Sequence, residues 1–245
     1  MPAKLSVNIN KYALIRNSRG QDSPNLLWAI DLNLAAGAHG ITVHPRSDQR
    51  HIKLSDVPTI AAHLRAAHPG VELNVECEDA PELLELVCKV RPAQCTLVPV
   101  TPGEVTSDHG YRAGDVARLV PIVKRLHDAG IRVSLFVDCE PSEVRALADT
   151  GADRVELYTG PYALAWGSAR AEHETSALFA SAAAGREVGL GLNAGHDLDR
   201  HNLAAIRDVV GLCEVSIGHE HICRALEVGS ASSVRELLSA LGYAP

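Results

Sequence analysis

Aromatic residues are scarce in this chain: two Phe, two Trp and five Tyr among 245 residues. A core of ordinary size must therefore come from Ala, Val, Leu and Ile, the residues expected to fill a barrel interior. Long apolar runs are missing too, and no stretch approaches the ~20 residues of a membrane span. The opening Met1-Pro2-Ala3-Lys4 lacks the apolar segment of a secretory signal. None of the six cysteines forms a C-x-x-C pair, so a zinc or dithiol redox site has no sequence support. Basic runs are absent and the formal charge is −7, which argues against binding a nucleic-acid backbone. Neither G-x-G-x-x-G nor G-x-x-x-x-G-K-[ST] occurs, which removes the usual dinucleotide and P-loop readings. H-E-x-x-H is absent, and His39, His63, His68, His127 and His173 read as solvated or structural residues in helices or at their ends. The expectation is a soluble, reduced, cytoplasmic protein with no metal, no membrane partner and no nucleic acid.

What is present is alternation. Short β-type runs at residues 5–9, 40–44, 71–76, 94–98, 132–138, 154–158, 188–193 and 214–218 are separated by helical stretches. Those stretches cover residues 26–36, 54–67, 81–90, 116–129, 141–148, 173–184, 203–209, 222–226 and 232–241. Ala36-Gly37-Ala38, Ala129-Gly130-Ile131 and Thr150-Gly151-Ala152 each precede a strand, with glycine placed to end the helix in a left-handed conformation. Repeated β-α units of this kind build a parallel sheet. Eight of them predict a TIM (β/α)8 barrel with additional short helices, in one domain over residues 1–245. Residues 99–114 form the longest irregular stretch and read as a lid.

Active sites of such barrels lie at the carboxyl ends of the strands. Reading that position around the barrel gives Asn8, Asn10 and Lys11, then His44 with Arg46 and His51, then Glu76, Asp138, Glu156, His196, Gly218 and His219. Titratable groups there are partly desolvated, which moves their pKa toward the range useful for proton transfer. Gly195-His196-Asp197 and Gly218-His219 follow the seventh and eighth strands, where backbone N–H groups can hold a phosphate. Arg16, Arg19, Arg46 and Arg50 read as loop residues after the first two strands, and are candidates for a second anion site.

These residues carry a resemblance. Val7-Asn8-Ile9-Asn10-Lys11, Arg16-Asn17-Ser18-Arg19-Gly20, the run from Gly40 through His44-Pro45-Arg46 to His51-Ile52, Leu73-Asn74-Val75-Glu76, Glu104-Val105-Thr106, Glu156-Leu157-Tyr158-Thr159-Gly160, Leu192-Asn193-Ala194-Gly195-His196 and Ile217-Gly218-His219 resemble the pyridoxine 5′-phosphate synthases. The resemblance implies joining 1-deoxy-D-xylulose 5-phosphate to 3-amino-2-oxopropyl phosphate, with no cofactor, in a homo-octamer. It implies His44 and Glu76 as proton acceptors, His196 as proton donor and Glu156 as a transition-state stabiliser. Asn8, Gly218 and His219 would hold the amino ketone phosphate, and Arg19, Arg46, His51, Thr106 and Asp197 the pentulose phosphate or its neighbours.

Three positions depart from the family pattern. Asn10-Lys11 replaces a frequent Asp-His, Pro45 a usual leucine, and Asp197 a frequent glycine. Two rival readings remain at this level. One is another phosphosugar barrel enzyme, an aldolase or an isomerase; a Schiff-base aldolase would want a lysine inside a strand near the barrel centre, and only Lys11 is near a strand's carboxyl end. A non-catalytic ligand-binding barrel would have no use for His44, Glu76 and His196 together.

Overall fold

The computed structural model describes residues 2–101 and 107–244. Its strands are β1 (Lys4–Asn8), β2 (Gly40–Val43), β3 (Glu72–Cys77), β4 (Gln94–Leu97), β5 (Arg132–Val137), β6 (Arg154–Tyr158), β7 (Gly191–Gly195) and β8 (Leu212–Ile217). They pair in parallel in chain order and close, β1 against β8, into the predicted eight-stranded barrel. The surrounding helices are α1 (Asn10–Arg19), α2 (Leu26–Ala35), α3 (Asp56–Ala67), α4 (Pro81–Val90), α5 (Val116–Asp128) and α6 (Pro141–Leu147). They continue as α7 (Gly160–Ala165), α8 (Ala171–Glu187), α9 (Leu203–Ile206), α10 (His219–Val228) and α11 (Ser230–Ala240). Among the described residues no helix is long and apolar enough to cross a membrane.

The expectation of an aliphatic barrel interior is corrected. Side chains alternate along a strand, so one parity faces the helices and the other faces the barrel axis. Leu5, Val7, Val155, Leu157, Leu192 and Ala194 belong to the first set and are buried in the strand–helix layer. There Gly185 of α8 lies so close that an added methyl would meet Leu192 Cδ2 at 2.7 Å. The other parity is polar. Gln94 on β4 reaches Glu214 on β8 across the barrel (3.5 Å), and Arg132 on β5 pairs with Glu72 on β3. Arg154 donates to Asn193 (3.1 Å) and lies 3.4 Å from Gln94 Oε1. A layer above, Ser6 meets Thr42 at 2.6 Å and Thr96 donates to Asn74 at 3.1 Å. Contacts between non-adjacent strands are possible only through the inside of the cylinder.

Two further differences concern segments near the rim. Residues 10–19, read as loop, form α1; Asn10-Lys11 and Asn17-Ser18 hide it, because such residues favour turns and no acidic group marks the first turn. Arg16 is therefore a buried helix residue, bound through both guanidinium N–H branches to Asp56 at 2.9 and 2.8 Å, and is already committed. The seventh strand begins at 191 rather than 188, since Val188 caps α8. That register carries β7 through to Gly195, directly before His196.

Glu214 yields a stability test. Burial, with the nearby Glu72 charge, raises its carboxyl to about 7 against the pull of Arg154, Arg132 and Lys4. The folded state then holds a proton that the unfolded chain releases near pH 4.5. Its stabilising contribution is full below that pH and is lost as pH rises through about 7. Denaturant melts of Glu214→Gln and the parent at pH 5 and 8 are expected to shift relative to each other by about 2–3 kcal/mol in favour of the variant at pH 8. Parallel curves would contradict this.

Candidate active site

Three strand ends converge on one carboxylate. Glu76, 4% exposed, lies with Oε2 3.4 Å from His44 Nδ1 and 3.4 Å from Asn8 Nδ2, and with Oε1 3.4 Å from Ser216 Oγ. These separations are long for hydrogen bonds, as is common between acid–base groups that tighten only around a bound substrate. Asn10 Oδ1 accepts the His44 backbone N–H at 2.9 Å, and Asn8 Oδ1 accepts that of Asn10 at 3.0 Å. In this chain the asparagine departure at position 10 thus ties the start of α1 to the end of β2.

Glu156 sits in the same interior, 1% exposed, on the inward parity of β6. Burial first, then the charges of Glu76 and Glu214, push its carboxyl well above the ordinary range, which favours the protonated form. His196 shows the opposite response. Burial lowers its pKa, partly offset by Glu76 and Asp197, so the resting imidazole is neutral. His44 Nε2, His196 Nδ1 and Glu156 Oε1 are buried without a protein hydrogen-bond partner. Such atoms cost stability, of order 1–3 kcal/mol each, and are tolerated where a ligand completes them.

The chain backbone is bent to present His196. Both His196 (φ 83°) and Asp197 (φ 58°) occupy the left-handed region, which side-chain-bearing residues rarely adopt. This conformation is a physical reason for glycine at position 197 in similar sequences. The turn is held from β6: the buried Thr159 hydroxyl lies 2.5 Å from the Gly195 carbonyl and 2.6 Å from that of His196, and its N–H also binds Gly195 O at 2.9 Å. Phe136 (4.7 Å) and Tyr158 (5.4 Å, edge-on) flank the imidazole ring. Sequence reading missed Phe136, Tyr158, Thr159 and Ser216 as parts of this arrangement. The parity shared by Phe136, Glu156, Tyr158 and Ser216 on their strands was the available signal.

Positive charge gathers around His51. An isolated bridge between Pro45 and Ile52 folds residues 46–51 back onto the rim, and the His51 ring comes 6.0 Å from that of His44. Burial and the charges of His44, Arg46, Lys11 and Arg50 drive His51 down to about 3. Its Nδ1 accepts the Ile52 N–H at 2.9 Å, so Nε2 carries the remaining proton and can donate. Arg46 is buried, with Nε 3.9 Å from Asp48. On the other side, α10 starts at His219 rather than at 222, its N-terminus following β8 directly. Gly218 packs so tightly on Asn8 that an added methyl would lie 3.0 Å from Asn8 Cβ.

Other predicted residues are placed less centrally. Arg19 is exposed at the end of α1, two residues after Asn17, whose amide donates to the His51 carbonyl at 2.7 Å. Arg19 thus belongs to a helix, not to the loop expected for it. Asp197 and His219 are exposed. Asp138 accepts the Gly110 N–H at 3.0 Å and Tyr111 N binds Phe136 O at 2.8 Å, which pins the far end of the 99–114 segment to β5. Thr106, with the middle of that proposed lid, lies outside the described residues.

Residues 5–242 match the family model described as pyridoxal phosphate biosynthesis protein PdxJ. The chain belongs to this family. It is 48% identical over 246 residues to the pyridoxine 5′-phosphate synthase of Mesorhizobium japonicum, covering 99% of this chain and 100% of that protein. It is 46% identical to the enzyme of that name from Albidiferax ferrireducens, with 97% of each chain covered. Among solved structures, the tryptophan synthase A-subunit of Pyrococcus furiosus superposes with a TM-score of 0.65 at 12% identity, over 97% of this chain and 98% of that one. A Thermus thermophilus phosphoribosyl anthranilate isomerase gives 0.61 at 16% identity, over 97% and 98%. These last two likenesses concern the barrel alone. Membership of the PdxJ family makes the chain an enzyme of pyridoxal phosphate biosynthesis, as the sequence motifs led us to expect.

Gly195 connects this geometry to rate. A methyl group added there would overlap Glu156 Oε1. Gly195→Ala is expected to keep the barrel, displace Glu156, and lower kcat by about 10–100-fold while changing KM little. Steady-state kinetics alongside circular dichroism check it, and an undiminished kcat would detach Glu156's position from catalysis.

Proposed function

We propose that this chain acts as a pyridoxine 5′-phosphate synthase, joining 1-deoxy-D-xylulose 5-phosphate to 3-amino-2-oxopropyl phosphate and releasing pyridoxine 5′-phosphate, inorganic phosphate and water. The observation that carries the reading is the grouping of Glu76 with His44 beside Glu156 and His196, three of them with an unpartnered buried polar atom. Amine and ketone must lose water, phosphate must leave and the ring must close. Each step moves protons near neutral pH, which calls for several carboxyl and imidazole groups in different protonation states.

In this proposal His44 and Glu76 accept protons from the condensing substrates. Glu156, held neutral, donates a hydrogen bond to charge that develops on oxygen. His196, neutral at rest, takes up a proton under the influence of Glu76 and then delivers it to a leaving group. Lys11, Arg46 and His51, with Asn10 framing the rim, form the pentulose phosphate site, which Arg19, Thr106 and Asp197 border. Asn8, Gly218 and His219 form the amino ketone phosphate site, where the α10 N-terminus offers free N–H groups and a favourable dipole. The whole chain acts as one domain in the cytoplasm and assembles as a homo-octamer, a reading in keeping with exposed apolar side chains such as Trp28, Leu164 and Leu226.

The aldolase rival loses ground because Lys4, the lysine within a strand, sits at the amino end of β1, 3.6 Å from Glu72. That is the end of the barrel opposite to Glu76 and His44.

Purified protein is expected to release phosphate and form pyridoxine 5′-phosphate only when both substrates are supplied. Glu76→Gln should fold normally and lose about 10²-fold or more in kcat, the scale of a missing general acid–base group. Phosphate release from either substrate alone, or a Glu76→Gln variant working at the parent rate, would refute the assignment.

A further inference from the structure

Away from the rim, two imidazoles converge on a single carboxylate oxygen. Asp31 projects from α2, His63 lies on α3, and His68 caps the C-terminus of α3. The helix ends at Ala67, and the non-helical backbone of His68 (φ −133°, ψ 59°) turns the chain after it. His63 Nε2 is 2.6 Å and His68 Nε2 2.7 Å from the same Asp31 Oδ1. The two rings stand 5.6 Å apart at 64°. The three ligand atoms all lie within 4.8 Å of one another. The side chains are accessible, at 20% for His63, 26% for His68 and 49% for Asp31.

We propose that Asp31, His63 and His68 form a binding site for a divalent cation of the zinc class. Two imidazole nitrogens and one carboxylate oxygen suit Zn²⁺ at bond lengths of about 2.0–2.2 Å and leave a fourth position for water. In the ion-free form each imidazole donates its Nε2 proton to Oδ1. On binding, that proton shifts through solvent to Nδ1, Nε2 presents its lone pair to the ion, and Asp31 supplies the charge. No group is oxidised and no proton is lost from either ring. The ligand atoms must spread to about 3.3 Å for tetrahedral coordination, a small rotation for side chains open to solvent. The α3 C-terminus leads into the amino end of β3, so the ion would join α2 to α3 at the end of the barrel opposite the catalytic rim. The five-residue spacing of the histidines matches no helical ligand motif, and only the break at Ala67 aligns them.

The test uses metal-free full-length protein and Zn²⁺ alone, followed by equilibrium dialysis and thermal melts. The parent is expected to bind one Zn²⁺ per chain at this site and to melt at a higher temperature with the ion present. His63→Gln/His68→Gln keeps amide donors for Asp31 but removes both imidazole lone pairs. It is expected to fold as the parent does, weaken Zn²⁺ at least about tenfold and lose the melting shift. Cys223→Ser probes the second cluster of possible ligands, His219, Glu220 and Cys223, and should leave both effects intact. Absence of saturable binding in the parent, binding that survives in the double variant, or binding abolished by Cys223→Ser would each overturn the proposal.

Discussion

Inside a closed parallel barrel every second side chain points at the axis, and in this chain most of those side chains are polar. The rest of the structure depends on that constraint. Charges brought together in a space about the width of a few side chains must pair, be neutralised by a proton, or be completed by a ligand. The amino-end layer takes the first course, with Lys4 and Arg132 paired to Glu72 and Arg154 bound to the amide oxygens of Gln94 and Asn193. Glu214 and Glu156 take the second, their carboxyls raised by burial. His44 and His196, each with an unpartnered nitrogen, are left to the third.

The carboxyl end of the barrel thus holds groups biased toward acid and base forms side by side. The surroundings push Glu156 toward its protonated form and His196 toward its neutral form, opposite directions of shift in two residue types. Groups whose pKa values are pushed apart by one environment can divide donor and acceptor duties. The Thr159 clamp and the two left-handed residues at 196 and 197 store local strain at that place, where a strict backbone geometry serves the chemistry.

Much of this was legible in the sequence, for identifiable reasons. Glycine at the αβ joins and eight apolar-rich strands led to the barrel, and the polar residues closing most of the strands marked the rim. The interior was misread because it was inferred from the aliphatic composition of the whole chain, whereas the informative feature on β5 is the alternation of Arg132, Ser134 and Phe136 with Val133, Leu135 and Val137. Helix α1 was hidden by turn-forming residues, so Arg16 and Arg19 looked like free loop cations. Partners contributed across the barrel, such as Ser216 to Glu76 and Thr159 to His196, depend on register between strands far apart in the chain. The convergence of His63 and His68 depends on where one helix stops.

The ionisation state of Glu156 tests the account most directly. Infrared difference spectra between the parent and Glu156→Gln at about pH 8.5, where Glu214 is largely ionised, report the carboxyl form of Glu156 alone. The account predicts a protonated-carboxyl band in the parent that vanishes in the variant. A carboxylate band in its place would mean that Glu156 is ionised, and the proposed division of acid and base roles would fail.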